Sequence, residues 1–251
     1  MDKSEIMARC SQEFWALAPD KSGNTANLYI YTDVKANRTD WFGKEIKSET
    51  SAQTFRQKLD EMGDVSQINI YINSNGGSVF EGLGIYSQLK RHKAHKTVYI
   101  DGVAASIASV IAMAGDEVVM SNPATMMVHT AWSVVAGNAD ELRKQADVLD
   151  KLTDSLKQAY LLRSGGKISE EKLTELIYAE TWLTAKECIE YGFADRLVEE
   201  IVTGEKEEKP SDDSSADDDK SDSTGADPQG KTEEKEETFT EKAMSIIGEF
   251  F

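Results

Sequence analysis

A unit of strand, glycine-rich turn and helix recurs along residues 25–203, and it constrains the fold more than any other feature of the sequence. Residues 67–72 alternate polar and apolar side chains, as a half-buried strand does, and lead into the turn 73–77. Apolar residues at helical spacing follow, up to a basic run that suits a helix C-terminus. Strands that alternate with helices predict an α/β fold with a largely parallel sheet.

The unit then occurs a second time, with smaller side chains. Residues 97–100 are predicted to form a strand, Asp101 and Gly102 a turn, and the small-residue run 104–115 a closely packed, buried helix. A long amphipathic helix is predicted at about 139–162. The remaining predicted elements are strands at 28–32, 117–120 and 126–129, helices at 169–179 and 184–191, and a closing segment at 193–201.

The acidic residues are concentrated after residue 203. Residues 204–238 contain fourteen acidic residues and five lysines but no Val, Ile, Leu, Met, Phe, Tyr, Trp or Cys, so an acidic, disordered linker is predicted there. Residues 239–251 have apolar side chains that can share one helical face, as a short docking helix or as an apolar terminus that packs on nothing. The predicted order is an N-terminal segment at 1–24, a folded domain at 25–203, the linker and the terminal helix.

The composition excludes several classes of function. A chain of 251 residues with a net charge of −17 is repelled by phosphate backbones and anionic lipid, so neither nucleic acid nor a membrane is expected as a partner. No stretch approaches the roughly 18 apolar residues of a membrane span, and no leader is evident at the N-terminus, so a cytoplasmic location is expected. Cys10 and Cys188 lie in no CxxC motif or Cys/His cluster, so neither a disulfide framework nor a zinc site is predicted.

His129 is the histidine best placed for chemistry. His92 and His95 lie in the cationic stretch KRHKAHK, where a mobile surface role is expected. His129 instead ends an apolar strand, at the edge of the sheet where α/β proteins build their sites. The alternative is a core histidine bonded to one backbone carbonyl.

Ser106 is the candidate nucleophile. It follows a strand and opens the small-residue helix, so that its hydroxyl is expected above the sheet with the amide of Ile107 directed at a developing oxyanion. The alternative is a helix N-cap, and Ser109 is predicted to be a buried hydroxyl bonded to its own helix. Gly76 and Gly77 allow a close backbone approach to a ligand, or else form a plain β-turn.

Three motifs in this order resemble the ClpP family of serine peptidases. The motifs are YINSNGG at 71–77, GVAASIAS at 102–109 and MMVHT at 126–130, and the similarity runs from about residue 28 to 201. The resemblance implies a ClpP/crotonase-like fold of stacked ββα-type units. It also implies that Ser106 is the nucleophile, His129 the general base, and the amides of Gly77 and Ile107 the oxyanion donors. Acyl transfer by these groups requires no metal or cofactor.

The third catalytic residue of the family is an aspartate, and the matching position here is Glu180. Glutamate can orient an imidazole as aspartate does, although its extra methylene needs a different backbone placement. The alternative is a surface charge at the end of a helix.

Within the family, the chain resembles in style the ClpP-related head maturation proteases of tailed bacteriophages. Residues 90–116 and the segment ETWLTA at 180–185 carry that likeness. It implies a serine endopeptidase that processes capsid or scaffold subunits in the host cytoplasm, within assembling proheads. Family members form rings, commonly of seven subunits, that can stack through the helix corresponding to 139–162, so a homo-oligomer is expected. The alternative is that this apolar stripe packs within the monomer.

Three other functions remain open at this point. A catalytically silent ClpP-like module could recruit capsid or scaffold subunits through its tail. A crotonase-type acyl-CoA enzyme has a related fold and paired oxyanion amides but does not need the serine. A Ser-Lys peptidase needs a lysine at the site, and no lysine has an evident place there.

Overall fold

A computed structural model of the chain describes residues 17–19 and 24–198. The predictions for the linker at 204–238, the terminal helix at 239–251 and nearly all of the N-terminal segment lie outside these residues. The boundaries of the domain at 25–203 therefore stay a prediction. No helix in the described residues is long and apolar enough to cross a membrane.

Strands and helices alternate along the described residues. The strands are β1 (Leu17–Pro19), β2 (Thr25–Ile30), β3 (Arg38–Thr39), β4 (Glu45–Ile46), β5 (Gln67–Ser74), β6 (His95–Ala105), β7 (Glu117–Met120), β8 (Thr125–Val128), β9 (Thr181–Thr184) and β10 (Arg196–Leu197). The helices are α1 (Ala52–Met62), α2 (Val79–Arg91), α3 (Ile107–Ala112), α4 (Ala139–Ser164), α5 (Glu170–Tyr178) and α6 (Ala185–Glu190).

The main sheet has the strand order β1-β2-β5-β6-β7-β10, with β8 paired to β6 and β9 paired to β8. The pairs from β2 to β10 are parallel, as is β6 with β8, while β1 and β9 are antiparallel to their neighbours. The prediction of an α/β fold with a largely parallel sheet is confirmed. Parallel strands place their carboxyl ends at one edge of the sheet, where β5, β6 and β8 each end.

The core lies on one face of the sheet. Strands β2 and β5 alternate half-buried and buried side chains, and the buried face contains Leu28, Ile30, Ile70 and Ile72. Helix α3 is buried at all six of its residues. Because small side chains allow close packing, this short helix can lie inside the core directly beside the sheet edge.

Strand β6 corrects the prediction for residues 101–115. The predicted turn at Asp101 and Gly102 is wrong, because β6 continues to Ala105, and the helix is limited to Ile107–Ala112. The first half of β6 pairs with β7, while Val103–Ala105 pairs with β8. The partner strand therefore provides a hydrogen-bonding ladder for small residues that, considered alone, suit a helix.

The long helix predicted at 139–162 is confirmed as α4, and the two helices after it as α5 and α6. Helix α4 begins with a capping box between Asn138 and Glu141 and ends at Gly165 in a left-handed conformation. Helix α1, the β3–β4 hairpin and strand β9 were not predicted. Strand β9 has only four residues and depends on its pairing with β8.

Candidate active site

Ser106 lies between β6 and α3 in a strained backbone conformation. Its φ is 55° and its ψ −130°, and among the described non-glycine residues only Ser106 and Glu180 have positive φ. Such a conformation costs about 1–3 kcal/mol and persists only where its surroundings hold it. The Ser106 amide donates to the Met127 carbonyl on β8 at 2.9 Å, which anchors the residue to the neighbouring strand.

The structure brings Ser106 and His129 together. His129 follows β8 directly, and its Nε2 lies 2.6 Å from the Ser106 hydroxyl oxygen. Ser106 occupies the N-cap position of α3, as the alternative predicted, but its side chain makes no capping bond to the helix. The hydrogen bond of His129 goes to a side-chain hydroxyl, so the alternative of a core histidine bonded to a carbonyl is not what the structure shows.

The half-buried position of His129 favours the neutral imidazole. Burial lowers the pKa of His129 below its usual 6.5, and the nearby negative charge of Glu180 opposes that shift. A neutral imidazole with its proton on Nδ1 has a free lone pair on Nε2. His129 can therefore accept a proton from Ser106 at neutral pH.

The pairing of β8 with β9 brings Glu180 close to His129. Val128 on β8 pairs with Thr181 on β9, and this antiparallel pairing places Glu180 beside His129 at the next position. Glu180 is exposed, has a φ of 51°, and acts on His129 through its charge. In the described part of the chain no hydrogen bond joins the two side chains, so Glu180 is within electrostatic reach only.

The glycine turn after β5 packs directly against Ser106. A Cβ on Gly76 would lie 2.7 Å from both the Ser106 Cβ and the Ala105 carbonyl oxygen, and 3.1 Å from the Ile107 amide nitrogen. Both glycines have positive φ, 101° at Gly76 and 136° at Gly77. Only glycine combines this backbone conformation with so close an approach.

Neighbouring residues fix the orientation of the turn. Val34 donates to the Gly76 carbonyl at 2.7 Å and accepts from the Ser78 amide at 2.7 Å. The Ser74 hydroxyl donates to the Thr32 carbonyl at 2.7 Å and accepts from the Gly76 amide at 3.1 Å. The sequence analysis predicted a role for neither Val34 nor Ser74. The role of Val34 becomes visible only in the structure, through its bridge to Gly77.

The amides of Gly77 and Ile107 are free to receive a ligand. Ile107 is the first residue of α3, so its N–H has no partner within the helix. Over residues 24–198, neither amide donates to a protein acceptor. Ile107 directly follows Ser106, and Gly77 directly follows the glycine that packs on Ser106. Two free donors near a nucleophile are what a tetrahedral acyl intermediate requires. The described residues contain no cluster of His, Cys, Asp and Glu that could hold a metal ion.

Comparison with known proteins identifies the family. A model of the Clp protease family matches residues 22–201, well over half of the chain. The chain belongs to the Clp protease family. As a member it is a serine-type peptidase, a hydrolase, and its mixed α/β architecture agrees with the ClpP-like fold that the motifs implied. The expectation of an enzyme is thereby confirmed.

Curated relatives in the Clp protease family are bacterial. An ATP-dependent Clp protease proteolytic subunit of Deinococcus radiodurans is 28% identical over 187 residues, covering 72% of this chain and 90% of the relative. The subunit of Bacteroides fragilis is 31% identical over 180 residues, covering 70% and 86%. Subunit 1 of Salinibacter ruber is 30% identical over 176 residues, covering 68% and 74%. All three are named as proteolytic subunits of an ATP-dependent protease.

Proposed function

We propose that this chain is a serine endopeptidase in which Ser106 is the nucleophile, His129 the general base and Glu180 the group that stabilises the imidazolium. The observation that carries the proposal is the 2.6 Å contact between His129 Nε2 and the Ser106 hydroxyl. A nucleophile within hydrogen-bonding reach of a base is the geometric signature of covalent acyl transfer.

The reaction proceeds in two halves. His129 takes the Ser106 proton as the hydroxyl oxygen attacks the peptide carbonyl, and the imidazolium then protonates the leaving amine as the C–N bond breaks. Water attacks the resulting ester with His129 again as base, which releases the acid and regenerates the serine. The amides of Gly77 and Ile107 hold the negative oxygen in both halves, and each donor is worth about 3 kcal/mol in the transition state.

We further propose that the substrates are capsid or scaffold subunits of a tailed bacteriophage. The likeness of residues 90–116 and 180–185 to head maturation proteases supports this, as does an acidic extension of about fifty residues beyond the family match. An acidic extension suits recruitment into an assembling shell, although acidic linkers also serve solubility. The catalytically silent module differs from this proposal only in having no reactive serine.

The names of the relatives favour a second candidate function. Each is a proteolytic subunit of an ATP-dependent protease, so this chain would degrade proteins delivered by an ATP-driven unfoldase. The two functions differ in the need for ATP. Under the first proposal, capsid or scaffold protein is expected to be cleaved without ATP.

Self-association is proposed to use helix α4. Leu142, Val148 and Leu162 lie exposed on this helix, with Leu162 at 76%. Four residues of the predicted apolar stripe, Leu149, Leu152, Leu156 and Ala159, pack on the core of the monomer, as the alternative held. The apolar side chains that stay exposed on α4 are typical of a subunit contact. Light scattering of the full-length protein is expected to give a ring-sized species, and a mass of only 28 kDa contradicts this expectation.

Reaction with a fluorophosphonate probe tests the catalytic assignment. Intact mass spectrometry of the wild-type protein is expected to show one added label, with peptide mapping assigning it to Ser106. The Ser106→Ala variant is the matched control and is expected to remain unlabelled. An assembled wild-type protein that takes up no label supports the silent module instead.

The substrate assignment needs a separate comparison. Purified protein is incubated with a phage capsid or scaffold protein, and with a folded reporter plus a Clp-type unfoldase and ATP. Site-specific cleavage of the phage protein without ATP supports head maturation. Cleavage only of the reporter, with the unfoldase and ATP, supports the second candidate. If the fluorophosphonate probe labels the protein but neither substrate is cleaved, both proposed functions are overturned.

A further inference from the structure

A buried chain of hydroxyls connects the long helix α4 to the backbone of Ser106. The Tyr160 hydroxyl lies 2.6 Å from the Ser109 hydroxyl oxygen, which lies 2.6 Å from the Ser106 carbonyl and 3.1 Å from the Met127 carbonyl. Ser109 has no exposed surface and Tyr160 is 3% exposed. The prediction of a buried Ser109 bonded to its own helix is confirmed, but its bond to Tyr160, 51 residues away, was not predicted.

The direction of these hydrogen bonds follows from the number of protons. Both carbonyls beside Ser109 are acceptors only, so the single Ser109 hydroxyl proton goes to them. Tyr160 must then donate its own proton to the Ser109 oxygen. Burial raises the pKa of Tyr160, so that the phenol keeps this proton. The order of donation is therefore Tyr160 to Ser109 to the Ser106 carbonyl.

The Ser106 carbonyl and the Ile107 N–H are opposite ends of one planar peptide group. A bond that fixes the carbonyl therefore also fixes the direction of the N–H. The Ser106 carbonyl accepts twice, from the Ser109 hydroxyl at 2.6 Å and from the Ser109 amide at 3.0 Å. Donation to a carbonyl also polarises the peptide and strengthens its N–H as a donor.

We propose that Tyr160 and Ser109 are positioning residues for the oxyanion hole. They hold the strained Ser106–Ile107 peptide so that the Ile107 amide points at the developing oxyanion, and neither touches the substrate. The inference rests on the proposed role of Ile107 in peptide hydrolysis. It explains how a non-glycine residue with φ of 55° is held beside the reacting atoms.

Steady-state hydrolysis of a fluorogenic peptide by the full-length protein tests the proposal, with active sites counted by fluorophosphonate titration to completion. Tyr160→Phe is expected to lower kcat per titrated site about threefold to tenfold, the range for one lost neutral hydrogen bond. KM is expected to stay within about twofold, because the oxyanion forms only after binding. The acid limb of the pH profile is expected not to move, because the chain of hydroxyls does not reach His129.

Two further variants separate positioning from simple packing. Ser109→Ala is expected to lower kcat at least as much as Tyr160→Phe, and the double variant no further than Ser109→Ala alone, because Tyr160 acts through Ser109. Tyr191→Phe is the matched control, since both Tyr160 and Tyr191 pack on the Phe193 ring, at 5.3 and 6.1 Å. It is expected to leave kcat unchanged.

Three results overturn the proposal. In the first, Tyr160→Phe leaves kcat per titrated site unchanged and lowers only the number of titratable sites. In the second, it raises KM and leaves kcat unchanged. In the third, the fold-loss of kcat in the double variant is the product of the fold-losses in the two single variants. A wrong assignment of the nucleophile would give a different result, because the wild-type protein would then take up no fluorophosphonate probe at Ser106.

Discussion

The two ends of strand β6 have polar clusters of opposite character. At the amino end, the Lys96 ammonium lies 2.9 Å from Asp116 and donates to the carbonyls of His92 and Ala94 at 3.2 and 2.7 Å. The Lys96 side chain is only 6% exposed, so these three acceptors replace water. The chain bends into β6 here from α2, and the cluster holds the two elements together.

At the carboxyl end the polar groups are left incompletely paired. Ser106 is strained, Gly76 packs against it, and the amides of Gly77 and Ile107 have no protein acceptor among the described residues. Unsatisfied donors and strained backbone cost stability, so they persist where the surrounding structure enforces them. Strand β6 therefore has a polar cluster that stabilises the fold at its amino end and a group of reactive residues at its carboxyl end.

The histidines follow the same division. His92 ends helix α2, and burial followed by the positive charge of Lys96 lowers its pKa, while Asp64 opposes the shift. His95 lies 3.9 Å from Asp116 on a largely exposed side chain. Of the three histidines, only His129 contacts the hydroxyl group of a residue with a strained backbone, Ser106. The predicted surface role fits His95 better than the half-buried His92.

The largest expected effect is that of Ser106→Ala on activity. Loss of the nucleophile is expected to lower peptide hydrolysis by at least about 10⁴-fold, because no acyl-enzyme can form. The thermal unfolding midpoint is expected to stay close to that of the wild type. Ser155→Ala, which removes an exposed hydroxyl from α4, serves as the control and is expected to keep full activity. Equal turnover in both variants contradicts the assignment.

Gly76→Ala is expected to damage both activity and stability. The new methyl would meet Ser106 and Ala105 at 2.7 Å in a backbone with φ of 101°, which predicts a loss of about 2–4 kcal/mol in unfolding free energy and at least about 100-fold in kcat. Gly63→Ala, with φ of 68° and open space around it, controls for backbone strain alone and is expected to cost about 1 kcal/mol. Chemical denaturation compares the two, and similar losses would mean that the contact with Ser106 is unimportant.

Glu180→Gln is expected to lower kcat about tenfold, because the charge that stabilises the imidazolium is lost. The same charge raises the pKa of His129 against the effect of burial. Its removal therefore lowers that pKa further, and the acid limb of kcat/KM is expected to move to lower pH. Glu175→Gln, at an exposed position of α5, is the control. A shift of the acid limb to higher pH contradicts the assigned role.

The smallest effect on activity is expected at the amino end of β6. Asp116→Ala leaves Lys96 without its carboxylate and is expected to cost about 1–3 kcal/mol at neutral pH, reduced from the value for a fully buried pair because Asp116 is 40% exposed. The kcat per active site is expected not to change. Asp60→Ala, which breaks an exposed ion pair with Arg56, is expected to cost less than about 1 kcal/mol.

The difference in unfolding free energy between the wild type and Asp116→Ala depends on pH because the Asp116 carboxylate titrates. Burial raises its pKa, but hydrogen bonds from Lys96 and the charge of Lys96 outweigh burial and hold the pKa below its usual 3.8. A depressed carboxylate pKa stabilises the fold above the unfolded-state pKa and loses that contribution as the pH falls. The gap in unfolding free energy between wild type and Asp116→Ala is therefore expected to narrow below about pH 4. A gap that widens in acid contradicts this origin.

Ser106 and His129 were predictable because each was expected near the carboxyl end of a strand, although the strand before Ser106 was predicted to end at Ile100 and runs instead to Ala105. The order of strands and glycine turns placed both residues at the same edge of the sheet. Glu180 was found through likeness to a family motif, since nothing in residues 169–184 predicts the four-residue strand β9 that brings it to His129. Tyr160 carried no sequence signal beyond an apolar position on a long helix. Its hydroxyl acquires a role only because Ser109 faces it in the core.

Periodicity and turn chemistry are local properties, so the amino-acid sequence was enough to predict the alternation of strands and helices, the glycine turn and the residues that can carry acyl transfer. The continuation of β6 to Ala105, and the pairing of β8 with its last three residues, depend instead on the folded arrangement of the strands. This pairing sets the 2.6 Å contact between Ser106 and His129 and the strain at Ser106. Strand register depends on hydrogen-bonding partners far along the chain, which no local pattern specifies.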